Sequence, residues 1–469
     1  MDKDKSLTRI WMVSTSGGAP IPMTGVDYST SNPKWSPDNR YLSFQASKGE
    51  DAKTQVWNLN RLGGEAVQVT NAKFGISGYD WSPDGSRLLL MIKDPTEAEL
   101  TTDKEDDDKP QPHVIDRMQF KQDYVGYLDR RRTHIHVYTP GDEEPVQVTS
   151  GDYDDSDPAW SPDGKSIAFV SDRSEDPDLH WGTDIWVVNV DEDGHELTQI
   201  TSNEGRDYSP AWSLDGRSIA YVTSTGYDIG GSALTPTRYL AVTRVGRDER
   251  RILTPDLDRN VSNPTYSPDG EIIYFGLQDS GMDHFAAVNA GGGDLIRLLE
   301  RQASMRSFSI NGGQTALLMG QSDQPPEIYL FDDGTLSQLT RVSAKSLDGV
   351  AVASVEKQQF ASADGTPVEA FFFRPANFDD SRRYPTILWL HGGPASQFTY
   401  NYSGIGQLFA ANGYVVIMPN PRGSVGYGQD FAQGTVAKWG EKDYEAVSYT
   451  HLRAHETRHA LVCRLLLEK

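Results

Sequence analysis

Cysteine is almost missing from this sequence. Cys463 is the single one among 469 residues, so no disulfide bond can form within the chain. Basic residues are also scarce, because 44 Lys and Arg stand against 67 Asp and Glu and leave a formal net charge of -23. A surface this acidic repels nucleic acid and anionic membranes, and we expect neither as a partner.

Long apolar runs are missing as well. No stretch approaches the ~20 apolar residues that a membrane-spanning helix needs. The first residues, "MDKDKSLTRIWMVSTSGG", contain no apolar segment typical of a signal peptide. We therefore expect a soluble protein without a membrane span. The cytoplasm and the periplasm both stay open as its compartment, and the sequence leaves the oligomeric state undetermined.

One phrase recurs through the first 345 residues. "WSPDG" or a close variant is followed each time by an alternating run that predicts a half-buried strand. The copies begin at Trp35, Trp81, Trp160, Trp212 and Tyr266, and a degenerate copy begins at Phe308. In such a phrase proline presets φ, Asp binds its own backbone and Gly accepts a positive φ. We therefore interpret these aspartates as parts of hairpin turns and not as ligands or catalytic acids.

A second phrase, of the type "VQVT", closes the leading half-unit and all but one of the whole units. It ends at Thr24, Thr70, Thr149, Thr201, Thr254 and Thr340. Units of about 40–55 residues are typical of four-stranded propeller blades. Six whole units and a leading half-unit predict an all-β seven-bladed propeller over residues 1–345, with the first blade incomplete and Met1 internal to a longer chain. The acidic stretch from Thr96 to Pro112 lacks periodicity and predicts an exposed insertion.

The pattern changes near residue 350. "FASADGTPVEAFFFRPANF" predicts a β-hairpin, and "YPTILWLHGG" and "YVVIMPNPRGS" predict two strands buried on both faces. Between them, "SGIGQLFAANG" predicts a helix that ends at Gly413. Residues 350–445 therefore predict the N-terminal part of an α/β-hydrolase domain. In such a domain, later strands and helices normally cover these two strands. Few further elements follow here, so we expect the apolar residues of "TILWL" and "YVVIM" to be left bare.

The combination resembles the prolyl oligopeptidase family of serine peptidases, and most closely its acylaminoacyl-peptidase-like and dipeptidyl-aminopeptidase-like members. The matching stretches are the WSPDG repeats, "HGGP" at 391–394, "NPRGSVGYG" at 420–428 and "WGEKDYE" at 439–445. The resemblance covers Ile10 to Glu445. It implies hydrolysis of short peptides by a Ser-His-Asp triad without a cofactor or a metal, with the propeller restricting entry to the site.

The resemblance also implies roles for individual residues. In this family a backbone N–H of the HGGP-type loop holds the oxyanion together with the residue after the nucleophile. Here that implies Gly393 as an oxyanion donor, with Gly392 and Pro394 shaping its loop. His391 is expected to be structural, and Arg422 is expected to brace the loop after the second strand. No catalytic residue is expected within the matched part, because the triad follows "WGEKDYE" in the family.

The serine elbow is missing. No serine of this chain has glycine two positions away on both sides, so G-x-S-x-G does not occur. Translated back into codons, "VSYTHLRAHE" and "LVCRLLLEK" resemble the two ends of an adapter used for shotgun DNA libraries. We therefore expect residues 446–469 to be translated adapter and the chain to be inactive. His455 and His459 match the H-E-x-x-H zinc signature, but they lie in this segment, so no metal site is expected.

Two other functions stay open. One is a propeller binding module with a vestigial hydrolase appendage, and the other is an esterase for small acyl esters. The "HGGP" and "NPRGSVGYG" loops argue against the first, because a scaffold needs neither. The propeller argues against the second, because small esters need no size filter. The sequence does not separate an oligopeptidase from a dipeptidyl- or acylaminoacyl-peptidase.

Overall fold

The computed structural model describes residues 6–49, 52–100, 114–178, 182–192, 194–224, 237–247, 249–448 and 461–462. Contacts divide the chain into two compact units, of which the first contains residues 1–13, 19–223 and 242–251, and the second contains residues 14–18, 224–241 and 252–469. The H-E-x-x-H stretch, Cys463 and most of the predicted insertion lie outside the described residues. Among those described, no helix is long and apolar enough to cross a membrane.

Successive repeats form antiparallel sheets. The leading half-unit forms a pair, β1 (Trp11–Met12) and β2 (Ile21–Pro22). The first sheet has the order β3 (Thr30–Trp35), β4 (Tyr41–Ala46), β5 (Gln55–Asn60), β6 (Val67–Gln68). The third has the order β13 (Asp155–Trp160), β14 (Ser166–Ser171), β15 (Asp184–Asn189), β16 (Leu197–Gln199), and the fourth has the order β17 (Asp207–Trp212), β18 (Ser218–Ser224), β19 (Arg238–Arg244), β20 (Arg251–Ile252).

The second sheet carries the insertion. Its four strands, in the order β12-β11-β8-β7, are β7 (Gly78–Trp81), β8 (Leu88–Lys93), β11 (Thr133–Tyr138) and β12 (Val146–Gln147). Between β8 and β11 lie the single-turn helix α1 (Glu97–Leu100) and a short hairpin of β9 (Lys121–Gln122) and β10 (Gly126–Tyr127). The prediction of an all-β repeat region is therefore wrong at α1, where the insertion begins with a helical turn.

The WSPDG turns have the predicted chemistry. In the second sheet, Asp84 Oδ1 accepts hydrogen bonds from Ser82 Oγ at 2.6 Å and from Ser86 N at 3.0 Å. Gly85 has a φ of 71°. The same Ser-Asp bond recurs at Asp38, Asp163, Asp215 and Asp269. These bonds hold the pKa of Asp84 at about 2. The interpretation of these aspartates as turn residues is confirmed.

The closing threonines have a shared role that the sequence did not reveal. Thr149 Oγ1 accepts a hydrogen bond from Ile135 N, at the beginning of the third strand in chain order of its own sheet, at 2.9 Å. Thr24, Thr70, Thr201, Thr254 and Thr340 accept the equivalent bond. Each of these threonines is buried. The hydroxyl therefore satisfies a backbone N–H that would otherwise be buried without a partner.

The repeat tryptophans occupy equivalent positions. Trp35, Trp81, Trp160 and Trp212 each end the outermost strand that opens a sheet. Each pairs with the residue seven positions later, at Leu42, Leu88, Ile167 and Ile219. In the first unit the apolar residues of the second and third sheets, among them Leu89, Ile135 and Phe169, form one buried core.

In the second unit, eight strands form one sheet from two meanders. The first meander contains β21 (Asn260–Tyr266), β22 (Ile272–Asp279), β23 (Met282–Asn289) and β24 (Ile296–Arg297). The second contains β25 (Ser304–Asn311), β26 (Gln314–Gln321), β27 (Gln324–Asp332) and β28 (Thr335–Gln338). One parallel pair, Asp283 with Ser304, joins the two meanders. A single-turn helix, α2 (Ala344–Leu347), follows.

The rest of the second unit is an α/β sheet of order β29-β30-β32-β31-β33. Its elements are β29 (Ser354–Ala361), β30 (Pro367–Arg374), β31 (Tyr384–Leu388), α3 (Gly404–Ala411), β32 (Val415–Asn420), α4 (Gln429–Ala432), a 3-10 turn (Gln433–Thr435) and β33 (Leu461–Val462). The predicted hairpin is β29 and β30, and β31 runs parallel to β32. The predicted helix α3 is followed by Gly413 with a φ of 85°.

The prediction of two bare apolar strands is wrong for "YVVIM". All six residues of β32 are buried, because Phe371 and Phe373 of β30 and Ala410 of α3 pack against Val416 and Met418. The strand "TILWL" is half-buried along β31. Its last residues stay exposed, with Trp389 at 39% and Leu390 at 50% of their full accessible surface.

Candidate active site

Two loops meet at the carboxyl ends of the parallel strands β31 and β32. We call residues 391–401, which follow β31, the HGGP loop, and residues 421–428, which follow β32, the glycine loop. Val425 N donates a hydrogen bond to Ser396 O at 3.0 Å and so joins the two loops directly. They therefore lie at the edge where open α/β sheets carry their sites.

Gly393 lies in a backbone conformation that favours glycine. Its φ is 139°, and a Cβ placed there would lie 2.9 Å from Ala395 N. Gly393 is exposed, and among the described residues its amide N–H forms no hydrogen bond. Gly392 is also exposed, with open space around it. Pro394 packs closely on the glycine loop, because a Cβ added to Gly423 would lie 2.9 Å from the Cβ of Pro394.

His391 contacts a serine, but this pair is not arranged for attack on a substrate. His391 Nε2 lies 3.0 Å from Ser424 Oγ, and its Nδ1 lies 3.1 Å from Gly392 O. Ser424 Oγ also donates to Pro421 O at 2.6 Å, and Ser424 has no exposed surface. Burial lowers the pKa of His391 below its ordinary value, so the ring is neutral near pH 7. The contact ties the HGGP loop to the glycine loop.

Asn420 fixes the middle of the HGGP loop. Its Oδ1 accepts a hydrogen bond from Phe398 N at 2.7 Å, and its Nδ2 donates to Phe398 O at 2.9 Å and to Tyr427 Oη at 2.8 Å. Tyr427 Oη donates to Glu369 at 2.9 Å, and Glu369 pairs with Lys357 at 2.9 Å. Burial raises the pKa of Tyr427 and keeps it protonated as a donor. Asn420 begins "NPRGSVGYG", but sequence analysis gave it no role.

Arg422 braces the glycine loop, as predicted. Its side chain is 8% exposed. The guanidinium donates to side-chain oxygens of Ser362, Asp364, Thr366 and Glu445 and to the carbonyl oxygen of Lys442. The bond from Arg422 holds the pKa of Asp364 well below its usual range. The arginine therefore connects the tip of the β29–β30 hairpin, the glycine loop and the segment that ends at Glu445.

A cavity of about 450 Å³ opens beside the HGGP loop, within the second unit. One wall is the eight-stranded sheet, and the opposite wall is the middle of the HGGP loop. Its lining includes Arg238, Asn260, Gln278, Asp283, Ser304, Arg306, Ser396, Gln397, Asn401 and Val425. The cavity is therefore bounded by both the repeat strands and the predicted oxyanion loop. No local sequence pattern marks this cavity, because its two walls, which are nearest in the chain at Phe308 and Ala395, come from distant segments.

Within the described ranges, no group of three or more His, Cys, Asp or Glu side chains is arranged to hold a metal ion. The predicted oxyanion donor Gly393, its neighbours Gly392 and Pro394, and Arg422 all lie around the two loops at the sheet edge. Gly393, whose amide forms no hydrogen bond with a described residue, therefore lies in the same loop that forms one wall of the cavity.

Two family models match parts of this chain. The TolB beta propeller domain matches residues 128–310, and the prolyl oligopeptidase family matches residues 400–450. The peptidase YuxL of Bacillus subtilis is 29% identical over 95% of this chain and 69% of its own length. Dipeptidyl-peptidase 5 of Porphyromonas gingivalis is 27% identical over 64% of this chain and 42% of its own length.

Solved structures show the same fold. The acylaminoacyl peptidase of Pyrococcus horikoshii matches with a TM-score of 0.74 at 20% identity, over 94% of this chain and 64% of that one. A puromycin-hydrolyzing peptidase of Mycobacterium tuberculosis matches with a TM-score of 0.68 at 17% identity, over 96% of this chain and 68% of that one. These matches show a propeller joined to a hydrolase-type sheet. This chain thus spans between two-fifths and about two-thirds of the lengths of these relatives.

Proposed function

Because this chain belongs to the prolyl oligopeptidase family, we propose that it serves the hydrolysis of short peptides by a serine nucleophile. We propose that the Gly393 amide donates one of the two hydrogen bonds that hold the tetrahedral oxyanion. The observation that carries this assignment is that Gly393 is exposed at a φ of 139° and that its amide forms no hydrogen bond among the described residues. Pro394 supports this loop by packing against Gly423, and Gly392 leaves open space beside the amide.

The chemistry needs the donor to be placed before the reaction begins. A serine that attacks a peptide carbonyl creates a negative oxygen, and preorganised N–H groups stabilise it as it forms. The HGGP loop is held from two sides, by Asn420 through Phe398 and by the Val425–Ser396 bond. Gly393 would therefore meet the oxyanion without reorganisation of the loop. The second donor would be the amide after the nucleophile.

We further propose that the 469-residue chain itself does not hydrolyse peptides. It contains no G-x-S-x-G, and Ser424, the serine in contact with His391, is fully buried. One oxyanion donor without a nucleophile gives little catalysis. The proposal includes a seven-bladed propeller over residues 1–345, with β1 and β2 as its incomplete first blade, followed by a partial hydrolase domain over residues 350–445.

A binding module with a vestigial appendage and a small-ester esterase remain the alternatives. The preformed Gly393 amide favours a hydrolase over a pure binding module, because a scaffold has no use for an unoccupied backbone donor. The cavity bounded by the eight-stranded sheet favours peptides over small esters, because an ester hydrolase needs no second wall.

Labelling with a fluorophosphonate probe tests the proposal on the chain as given. We expect neither labelling nor hydrolysis of acylaminoacyl or dipeptidyl anilides, and labelling at Ser424 would contradict this assignment. The gene, amplified from source DNA across the Glu445 codon, tests the rest. A gene that encodes G-x-S-x-G past this codon, and whose product hydrolyses peptide anilides, would support the proposal. A gene that encodes "SYTHLRAHETRH" and then stops would refute the adapter interpretation and the account of the missing serine.

A further inference from the structure

The cavity beside the HGGP loop has two cationic side chains in its lining. Arg238 begins β19, and Arg306 lies on β25 of the eight-stranded sheet. Neither guanidinium forms an ion pair with a described residue. Other arginines of the second unit are paired, for example Arg259 and Arg297 with Asp279. The two cavity arginines are therefore available to a ligand.

Among the described lining residues, Asp283 is the only carboxylate. Asp283 accepts a hydrogen bond from Ser304 Oγ, and its carboxyl sits at the junction of β23 and β25. Burial raises the pKa of Asp283 and so disfavours its charged form. Two arginines thus face a single, half-buried and internally bonded acid. The described lining therefore has more positive than negative side chains, in a chain whose formal net charge is -23.

The remaining polar lining also offers donors. Gln397 Oε1 accepts a hydrogen bond from Gly281 N at 3.1 Å, which fixes the orientation of the side-chain amide. Its Nε2 is buried and has no hydrogen-bond partner among the described residues. Asn260 and Asn401 line the cavity as well. Amide and guanidinium donors together match the acceptor-only character of a carboxylate.

We propose that this cavity binds a carboxylate of the peptide substrate through Arg238 and Arg306. The inference rests on the proposed function and specifies its substrate class. The carboxylate has two sources, the C-terminus of a short peptide or the side chain of an Asp or Glu residue. A free amino terminus is disfavoured, because it would bring a third positive charge to the same walls. The cavity therefore selects peptides by an anionic group and not by an amine.

Binding to the chain as given tests this inference without any need for catalysis. Four peptides are compared by calorimetry: acetyl-Ala-Ala-Ala-amide, acetyl-Ala-Ala-Ala with a free carboxylate, acetyl-Ala-Glu-Ala-amide, and Ala-Ala-Ala-amide with a free amine. We expect one or both carboxylate peptides to bind about tenfold more tightly than the neutral peptide, as charge-assisted hydrogen bonds imply. The peptide that shows the gain identifies the source of the carboxylate.

Variants assign the effect to the two arginines. R238Q and R306Q should each reduce the preference for carboxylate, and the double variant should bind all four peptides alike. R383Q is the matched control, because Arg383 is exposed in the same unit and does not line the cavity. Both cavity arginines are exposed, so their loss should leave the fold intact, which circular dichroism checks. Raising the salt concentration should weaken the binding of the carboxylate peptides and leave the binding of the neutral peptide unchanged.

The outcomes separate this inference from the proposed function. Binding of all four peptides with equal affinity, or tighter binding of the amine peptide, would overturn the carboxylate site and leave peptide recognition standing. A preference that survives in the double variant would also overturn it. Failure to bind any of the peptides would contradict the proposed function, and the carboxylate site with it.

Discussion

Replacing Arg422 by methionine should loosen the α/β sheet of the second unit at a defined place. The change keeps an apolar stem of similar length and removes every donor of the guanidinium. Asp364, Glu445 and the carbonyl oxygen of Lys442 then lose their bonds from the guanidinium, while Thr366 N still donates to Asp364 and Lys442 Nζ still donates to Glu445. The hairpin tip and the segment before Glu445 would no longer be tied to the glycine loop.

The size of the effect follows from the burial of each group. Removing one partner of a fully buried ion pair costs about 3–5 kcal/mol. Here Arg422 is 8% exposed, but Asp364 is 37% and Glu445 is 40% exposed, so water can solvate both acids after the change. The Lys442 carbonyl loses two bonds, of 3.0 and 3.1 Å. We therefore expect a local loss of about 2–3 kcal/mol, at the lower end of that range or just below it.

Hydrogen–deuterium exchange measures this locally. Opening of residues 362–366 and 421–445 should become roughly 30- to 150-fold more frequent, which corresponds to about 2–3 kcal/mol. R374M is the matched control, because Arg374 pairs with Glu356 at the surface, where they are 32% and 51% exposed. Such a pair contributes about 0–1 kcal/mol. If R422M changes exchange in these segments no more than R374M does, the bracing role of Arg422 is refuted.

Three further changes have expected outcomes. Gly393→Ala should speed hydrogen–deuterium exchange in the HGGP loop, because alanine is strained by about 1–3 kcal/mol at this positive φ. Gly392→Ala is the control and should change exchange little, because Gly392 lies in open space. Equal effects of the two substitutions would contradict the strain argument. Thr149→Val should lower the free energy of unfolding of its sheet by about 1–3 kcal/mol, because Ile135 N–H loses its acceptor, and an unchanged urea midpoint would count against this. Burial, and after it the negative charge of Asp207, raises the pKa of Asp184 to about 6. As pH rises, the unfolded state therefore loses this proton before the folded state does. The free energy of unfolding should then fall between about pH 4 and about pH 6. Asp184→Asn should remove roughly 2 kcal/mol of that decline, measured by denaturation at about pH 4 and about pH 7, and an unaltered decline would show that Asp184 is not its source.

The sequence predicted what depends on near neighbours in the chain. The bonds of Asp84 reach residues two positions away, so turn chemistry alone identified them. The role of Thr149 was not visible, because its partner Ile135 lies 14 residues earlier and only the strand register brings the two together. The closing phrase was the signal that could have revealed this role, because a threonine that recurs at the closing positions indicates that these residues accept the same kind of hydrogen bond.

In the candidate site, too, the sequence predicted features that near neighbours in the chain determine and missed those that the fold brings together. "HGGP" predicted an exposed glycine donor after β31, because that loop's geometry is encoded in four consecutive residues. The hydrogen bond from Phe398 N to Asn420, 22 residues away in the chain, forms only because the two loops meet at one edge of the sheet. The burial of β32 was mispredicted, because hairpin strand β30 covers an edge that sequence order had left free. The cavity arginines were missed because no local pattern marks an arginine that forms no ion pair with a described residue.

The closing threonines bear on how such a chain lengthens during evolution. Each of the six hydroxyls binds a backbone N–H within its own repeat. A duplicated repeat therefore carries its own acceptor and leaves no neighbour with an unmet donor. Copies can be gained by unequal recombination without compensating mutations in the adjoining ones. The letters around the threonine differ between "PMT" and "SQLT", whereas both copies contain the hydroxyl that accepts the bond.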